Sequence, residues 1–129
     1  MTLKPITYLD VPVIKKILIK NTHLINNKLL LTELFKHINN KNGFSFKAVI
    51  DDKIVAIWFS MEFDTYTSLS YFYTDPSIRC KPEVFKVFKL GLSKCNSSKP
   101  IYIKSKDTTG FSKYVKHIKD DIYQFIGLR

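Results

Sequence analysis

The run Tyr71-Phe72-Tyr73-Thr74-Asp75-Pro76-Ser77-Ile78-Arg79 changes character in its middle, and that change organises the chain on both sides of it. Up to Thr74 it is aromatic and β-branched, the composition of a strand. Alternation over Ser68–Thr74 predicts Leu69, Tyr71 and Tyr73 on one face and Ser70, Phe72 and Thr74 on the other. Asp75-Pro76 then stops the strand, because proline cannot donate to a ladder and an aspartate side chain closes a turn. A loop, Ser77 to Lys81, leads to Pro82 and Glu83. Both suit the first turn of a helix, where a missing N–H costs nothing and an acid complements the helix dipole. Val84, Val87, Phe88 and Leu92 recur at helical spacing and carry this helix to about Cys95.

Working back from the strand, Lys53 to Phe63 and Phe44 to Ile50 read as two further strands joined by a turn at Asp51-Asp52, so 44–74 is an antiparallel meander. Before it, the turn Asn39 to Gly43 ends a helix over 28–39 that carries Leu30, Leu31, Leu34, Phe35 and Ile38. Val13, Ile14, Ile17 and Leu18 define an earlier helix over 11–21, with Asp10 as its N-cap and Pro12 in its first turn. Thr2 to Thr7 is a short first strand. Working forward, Pro100 to Lys104 reads as a strand, about 111–119 as a helix opened by Thr108 to Gly110, and Ile122 to Leu128 as a final strand. No repeat, linker or low-complexity tail interrupts this order.

Strand, two helices, three antiparallel strands, helix, strand, helix, strand is similar to the order of the GCN5-related N-acetyltransferases (GNAT), across nearly the whole chain. The run Tyr71–Arg79 resembles the end of that family's fourth strand and the start of its cofactor loop. Members there typically read aromatic, x, Asp-Pro-x-x-Arg, then Gly-x-Gly-x-Gly or Ala, then a helix. The resemblance implies one α/β domain over residues 1–129, with a mixed, mostly antiparallel central sheet flanked by about four helices. It implies acetyl-CoA as cofactor, held by Tyr73, Thr74, Arg79, Cys80, Lys81 and Val84. Glycines in such a loop let the backbone approach a pyrophosphate and take positive φ, and N–H groups at the helix start bind the phosphates. The positions that match the glycines are Cys80, Pro82 and Val84, and Pro82 also removes a donor. Arg79 matches the family's basic residue and is expected to meet a phosphate.

The resemblance also implies a general acid. Members often carry a tyrosine in the fourth helix, in a pattern like Leu-Tyr-x-x-x-Gly-Phe, that protonates the leaving thiolate. The corresponding run is Lys113 to Lys119, in which Val115 falls on the tyrosine position and Tyr114 one residue before it. One residue is roughly 100° of helix rotation, so Tyr114 is a candidate acid whose role depends on register. A base for an amine is expected among carboxylates near the central strands. Glu62 is the candidate, with Asp64 beside it, and Asp75 is read as turn-forming. His23, His37 and His117 are scattered and expected to face solvent.

The chain has 129 residues and a formal charge of +10. Eleven basic and two acidic residues lie between Arg79 and Lys119, whereas Ile54 to Ile78 has no Lys or Arg. A basic half of this kind suits an anionic partner, or is a solvated lysine-rich face. Cys80 and Cys95 lack the companions a metal site needs and are read as free thiols. No stretch reaches the roughly 20 apolar residues of a membrane span, and Met1 to Leu9 does not read as a secretory signal. Three functions follow as expectations. The altered loop favours a non-catalytic structural or binding component with protein partners in a larger assembly, as in the small GNAT-like virion proteins of short-tailed phages that the chain resembles. An active acetyl-CoA-dependent N-acetyltransferase is the alternative, and a nucleic-acid-binding module using 79–119 is the third. The expected location is cytoplasmic, or the virion for a phage protein.

Overall fold

Among the described residues, seven strands form one sheet, with helices on both of its faces. The computed structural model describes residues 1–21, 27–105 and 112–127. β1 (Thr2–Pro5) leads through a single 3-10 turn (Tyr8–Asp10) into α1 (Val11–Asn21) and α2 (Asn27–Asn39). The meander β2 (Gly43–Ile50), β3 (Lys53–Glu62) and β4 (Thr67–Thr74) follows, then α3 (Pro82–Ser93) and β5 (Ile101–Lys104). A second 3-10 turn (Ser112–Tyr114) precedes β6 (Val115–Lys119) and β7 (Ile122–Phe125). The spatial order is β1-β2-β3-β4-β5-β7-β6, and only the β4–β5 pair is parallel.

The apolar periodicities decide which helix covers which face. Val11, Ile14 and Leu18 of α1 and Leu30 and Leu34 of α2 bury against Ile57, Phe59 and Tyr73. On the opposite face, Val87, Phe88 and Leu92 of α3 bury against Trp58, Leu69 and Ile103. Each such full burial of a large apolar side chain stabilises by about 1.5–3 kcal/mol. Trp58 sits at the centre, wholly buried, and its indole N–H donates to Ser60 Oγ at 2.9 Å. A Cβ on Gly91 would lie 2.5 Å from that indole, so α3 approaches the sheet this closely only because position 91 is glycine.

Three expectations need correction. The helix expected over about 111–119 is not formed by the described part of that stretch. Ser112–Tyr114 is a 3-10 turn and Val115–Lys119 is β6, so three α-helices rather than four flank the sheet among the described residues. β6 pairs with β7 across the turn Asp120-Asp121, with Asp120 at φ 49°, and the ladder outweighs a five-residue helical pattern. Phe111 and the Thr108–Gly110 start lie outside the described residues, as does Leu128 of the last strand. The alternation expected for β4 holds for Tyr71, Phe72 and Tyr73 but breaks at Leu69. A bulge at Ser70 shifts the register, so Leu69 and Phe72 face α3 while Tyr71 and Tyr73 face α1 and α2. Asp10, finally, ends a 3-10 turn instead of simply capping α1. Its carboxylate accepts from the Thr7 N–H at 2.9 Å and from Lys47 Nζ at 2.5 Å.

Candidate functional site

β4 and β5 pair over three positions only, Thr67↔Ile101, Ser68↔Tyr102 and Leu69↔Ile103. The Ser70 bulge follows at once, with Phe59 opposite Tyr71 and Ser60 opposite Leu69. A bulge bends its strand and re-aims the side chains beyond it. From Tyr71 to Thr74, β4 pairs with β3 alone among the described residues, and this stretch beyond the last β4–β5 pair is called the gap. A cavity of about 510 Å³ opens here on the α2 side, lined by Glu33 and His37 of α2, Ser70 and Tyr71 of β4, and Lys104 of β5.

The loop after β4 lies at the other end of the gap, and its side chains are largely committed to one another. Asp75 is buried, accepts from Ser77 Oγ at 2.5 Å, the Ser77 N–H at 2.9 Å and Tyr73 Oη at 3.2 Å, and pairs with Lys53 at 3.2 Å. The Ser77 bonds, helped by Lys53, outweigh burial and hold its carboxyl well below the usual carboxylate range. Burial, with the Asp75 charge, pushes the Tyr73 phenol up. Arg79 is exposed and its Nε donates to the Thr74 carbonyl at 2.9 Å. The backbone turns through Ile78 N–H to Asp75, Lys81 N–H to Ile78 and Val84 N–H to Lys81. Cys80 stands at φ 63°, in the left-handed region that glycine adopts without strain. Val84 is half-buried against the α3-side core. Glu83, in the first turn of α3, has one carboxylate oxygen buried without a hydrogen-bond partner.

On the α2 side, His37 Nδ1 lies 2.8 Å from the Glu33 carbonyl oxygen one helical turn earlier. Its ring meets Tyr71 and Phe59 edge-on, at 5.4 and 6.0 Å between centroids. Burial, and next the Glu33 carboxylate, push the Tyr71 phenol up. His37, expected to face solvent, is half-buried and lines the cavity. The sequence signal that was available is the i, i+4 spacing of Glu33 and His37, which puts both on one helix face.

The other candidates are elsewhere. Glu62 accepts from Lys99 Nζ at 2.8 Å and Asn96 Nδ2 at 3.4 Å, which hold its carboxyl low. Asp64 is in an exposed turn. Tyr114 is on a 3-10 turn, edge-on to Phe85 of α3 at 5.9 Å, with Lys113 Nζ 5.1 Å over its ring. It is not among the residues lining the cavity. His117 accepts from or donates to no cavity residue and meets the Asp120 carbonyl at 2.7 Å, while His23 lies outside the described residues. Cys80 and Cys95 are free thiols. Among the described residues, no cluster of three or more His, Cys, Asp or Glu is placed to hold a metal ion.

The sequence matches no family model and no curated protein. Solved structures resemble the fold. A Thermus thermophilus acetyltransferase superposes at TM-score 0.68 over 95% of this chain and 92% of its own, at 10% identity. Tetrahymena GCN5 does so at 0.63 over 100% and 98%, at 7% identity. The aminoglycoside 6'-N-acetyltransferase of Acinetobacter haemolyticus does so at 0.60 over 72% and 70%, at 15% identity. The fold is that of the GNAT acetyltransferases. The loop fits a diphosphate poorly: Pro82 has no N–H, the Val84 N–H is spent on Lys81, and Glu83 adds a negative charge.

Proposed function

We propose that this domain transfers an acyl group from a thioester donor to an amine, with the donor in the β4–β5 gap and the acceptor in the α2-side cavity. The observation that carries the reading is that, among the described residues, β4–β5 pairing ends at Leu69 beside a cavity of about 510 Å³. An acyl thioester supplies an activated acyl group. The protein's own contribution is to hold and screen the two reactants. The β4 edge offers backbone donors and acceptors, Arg79 offers its guanidinium beside Thr74, and Tyr71, Met61 and Phe63 give the cavity an apolar wall.

The non-catalytic binding reading has one specific observation in its favour, the loop with Pro82 and Glu83 where phosphate donors are expected. Under that reading the cations of the α3 side, Lys81, Lys86 and Lys89, serve an anionic partner instead. Calorimetric titration with acetyl-CoA separates the two. Binding in the micromolar range, weakened at least tenfold in Arg79→Ala, supports the acyltransferase reading. No heat and no thermal stabilisation at millimolar acetyl-CoA rejects it, because any ligand specific for the folded state must stabilise it by mass action.

A further inference from the structure

We propose that His37 is the base that receives the acceptor amine's proton. The inference rests on the acyltransferase reading and names the group that would serve it. The Glu33 carbonyl can only accept, so His37 Nδ1, 2.8 Å away, carries the hydrogen. The neutral ring is therefore the Nδ1–H tautomer, with the lone pair on Nε2. The ring is held by that bond at one end and by Tyr71 and Phe59 against its edges and faces, so its direction is fixed. Nδ1 is spent on the backbone of α2, which leaves Nε2 as the ring nitrogen available to the cavity that His37 lines.

The proton transfer is simple and balanced. An alkylammonium acceptor gives one N–H proton to Nε2, leaving a neutral amine with its lone pair and an imidazolium that later returns the proton to water. Both ring N–H groups are then donors, and Nδ1–H keeps its bond to Glu33. The titratable groups sharing the cavity are Glu33 and Lys36 of α2, Tyr71 of β4 and Lys104 of β5. Glu33 is the only carboxylate among them in the described residues. Its charge favours an arriving ammonium, while Lys36, 3.9 Å from Glu33 in a mostly exposed pair, offsets part of that effect. This assigns a role to a cluster that the cofactor loop does not touch, and it points to an amine acceptor carried on a slender, uncharged or cationic stem.

Two measurements test it. Long-range 15N correlation spectroscopy, with His37 assigned by its loss in His37→Gln, should show Nδ1 protonated and Nε2 bare at high pH. A ring protonated at Nε2 would overturn the proposal without any ligand present. Amide formation from acetyl-CoA and n-butylamine should show a rate that rises with pH in wild type. Expressed per free amine, so that the ionisation of n-butylamine itself is removed, that rising limb should vanish in His37→Gln and in His37→Asn, with a loss of about 10²–10⁴-fold. His37→Asn keeps a donor for the Glu33 carbonyl, so it guards against a merely structural loss. Acetyl-CoA affinity should be unchanged in both variants. If acetyl-CoA binds and both variants keep the rising limb, His37 is not the base and the acyltransferase reading stands. If wild type binds acetyl-CoA but forms no amide, the base role falls and a binding role remains. If wild type does not bind acetyl-CoA, the reading itself fails.

Discussion

The two ends of the β4–β5 gap treat their polar groups differently. At the loop end, Asp75 gathers Ser77, Tyr73 and Lys53, and Arg79 reaches back to Thr74, so the polar groups close on each other. At the α2 end, His37 spends one ring nitrogen on its own helix and the cavity beside it stays open. The first arrangement is the way a loop keeps its shape without a ligand. The second is the way a side chain is aimed while keeping reactive capacity. The loop is thus self-satisfied, while the His37 side keeps an open cavity.

The largest expected effect breaks the loop end. Asp75→Ala leaves the buried Tyr73 hydroxyl and the Ser77 donors without their acceptor, and should cost about 3 kcal/mol in urea unfolding. A cost under about 1 kcal/mol would mean that the loop is not held by this carboxylate. The same residue predicts an acid limb. Its folded pKa is depressed, so its contribution is complete above the unfolded carboxylate range, near pH 4, and is lost as pH falls below it. Asp75→Ala should flatten that limb between about pH 4 and pH 2.

Gly91→Ala probes the wall behind the gap. The added methyl meets the immobile Trp58 ring and should destabilise by about 1–3 kcal/mol, despite alanine's better helix propensity. A neutral result would show that α3 can slide on the sheet. Cys80→Gly should act in the opposite direction. It removes a side chain from φ 63° and should stabilise by about 1 kcal/mol, seen as a higher urea midpoint. Smallest is Glu83→Gln, which removes a negative charge from the first turn of α3. Acetyl-CoA should bind roughly two- to fivefold tighter by calorimetry, the size of one charge at a helix end. Unchanged affinity would show that phosphates do not approach this turn.

Much of this fold was legible because it is written in short-range patterns. Asp51-Asp52 turns the β2–β3 hairpin through two left-handed residues, at φ 50° and 61°, and the flanking strands are rich in β-branched and aromatic residues. The i, i+3, i+4 apolar spacing of α1, α2 and α3 marks the faces that are buried. The candidate site was less legible. The Tyr73–Arg79 loop could be located from Asp75-Pro76, but its internal bonds depend on Lys53, which arrives from another strand. His37 looked like a solvent-facing residue because the partners that enclose it, Tyr71 and Phe59, lie on β4 and β3.

The dipeptide Asp-Asp occurs twice and makes the division plain. At Asp51-Asp52 the sequence alone determined a hairpin, since strong strand patterns on both sides leave one way to pair. At Asp120-Asp121 the same chemistry was not decisive, because Val115 to Lys119 fits a helix or a strand over five residues. There the exposed edge of β7, brought into place by its pairing with β5, supplied the ladder that made β6 a strand. By itself the sequence determined the elements whose hydrogen bonds and apolar periods are local. Only tertiary structure decided the Ser70 bulge, the end of β4–β5 pairing and the cavity beside His37, because each depends on backbone partners tens of residues away.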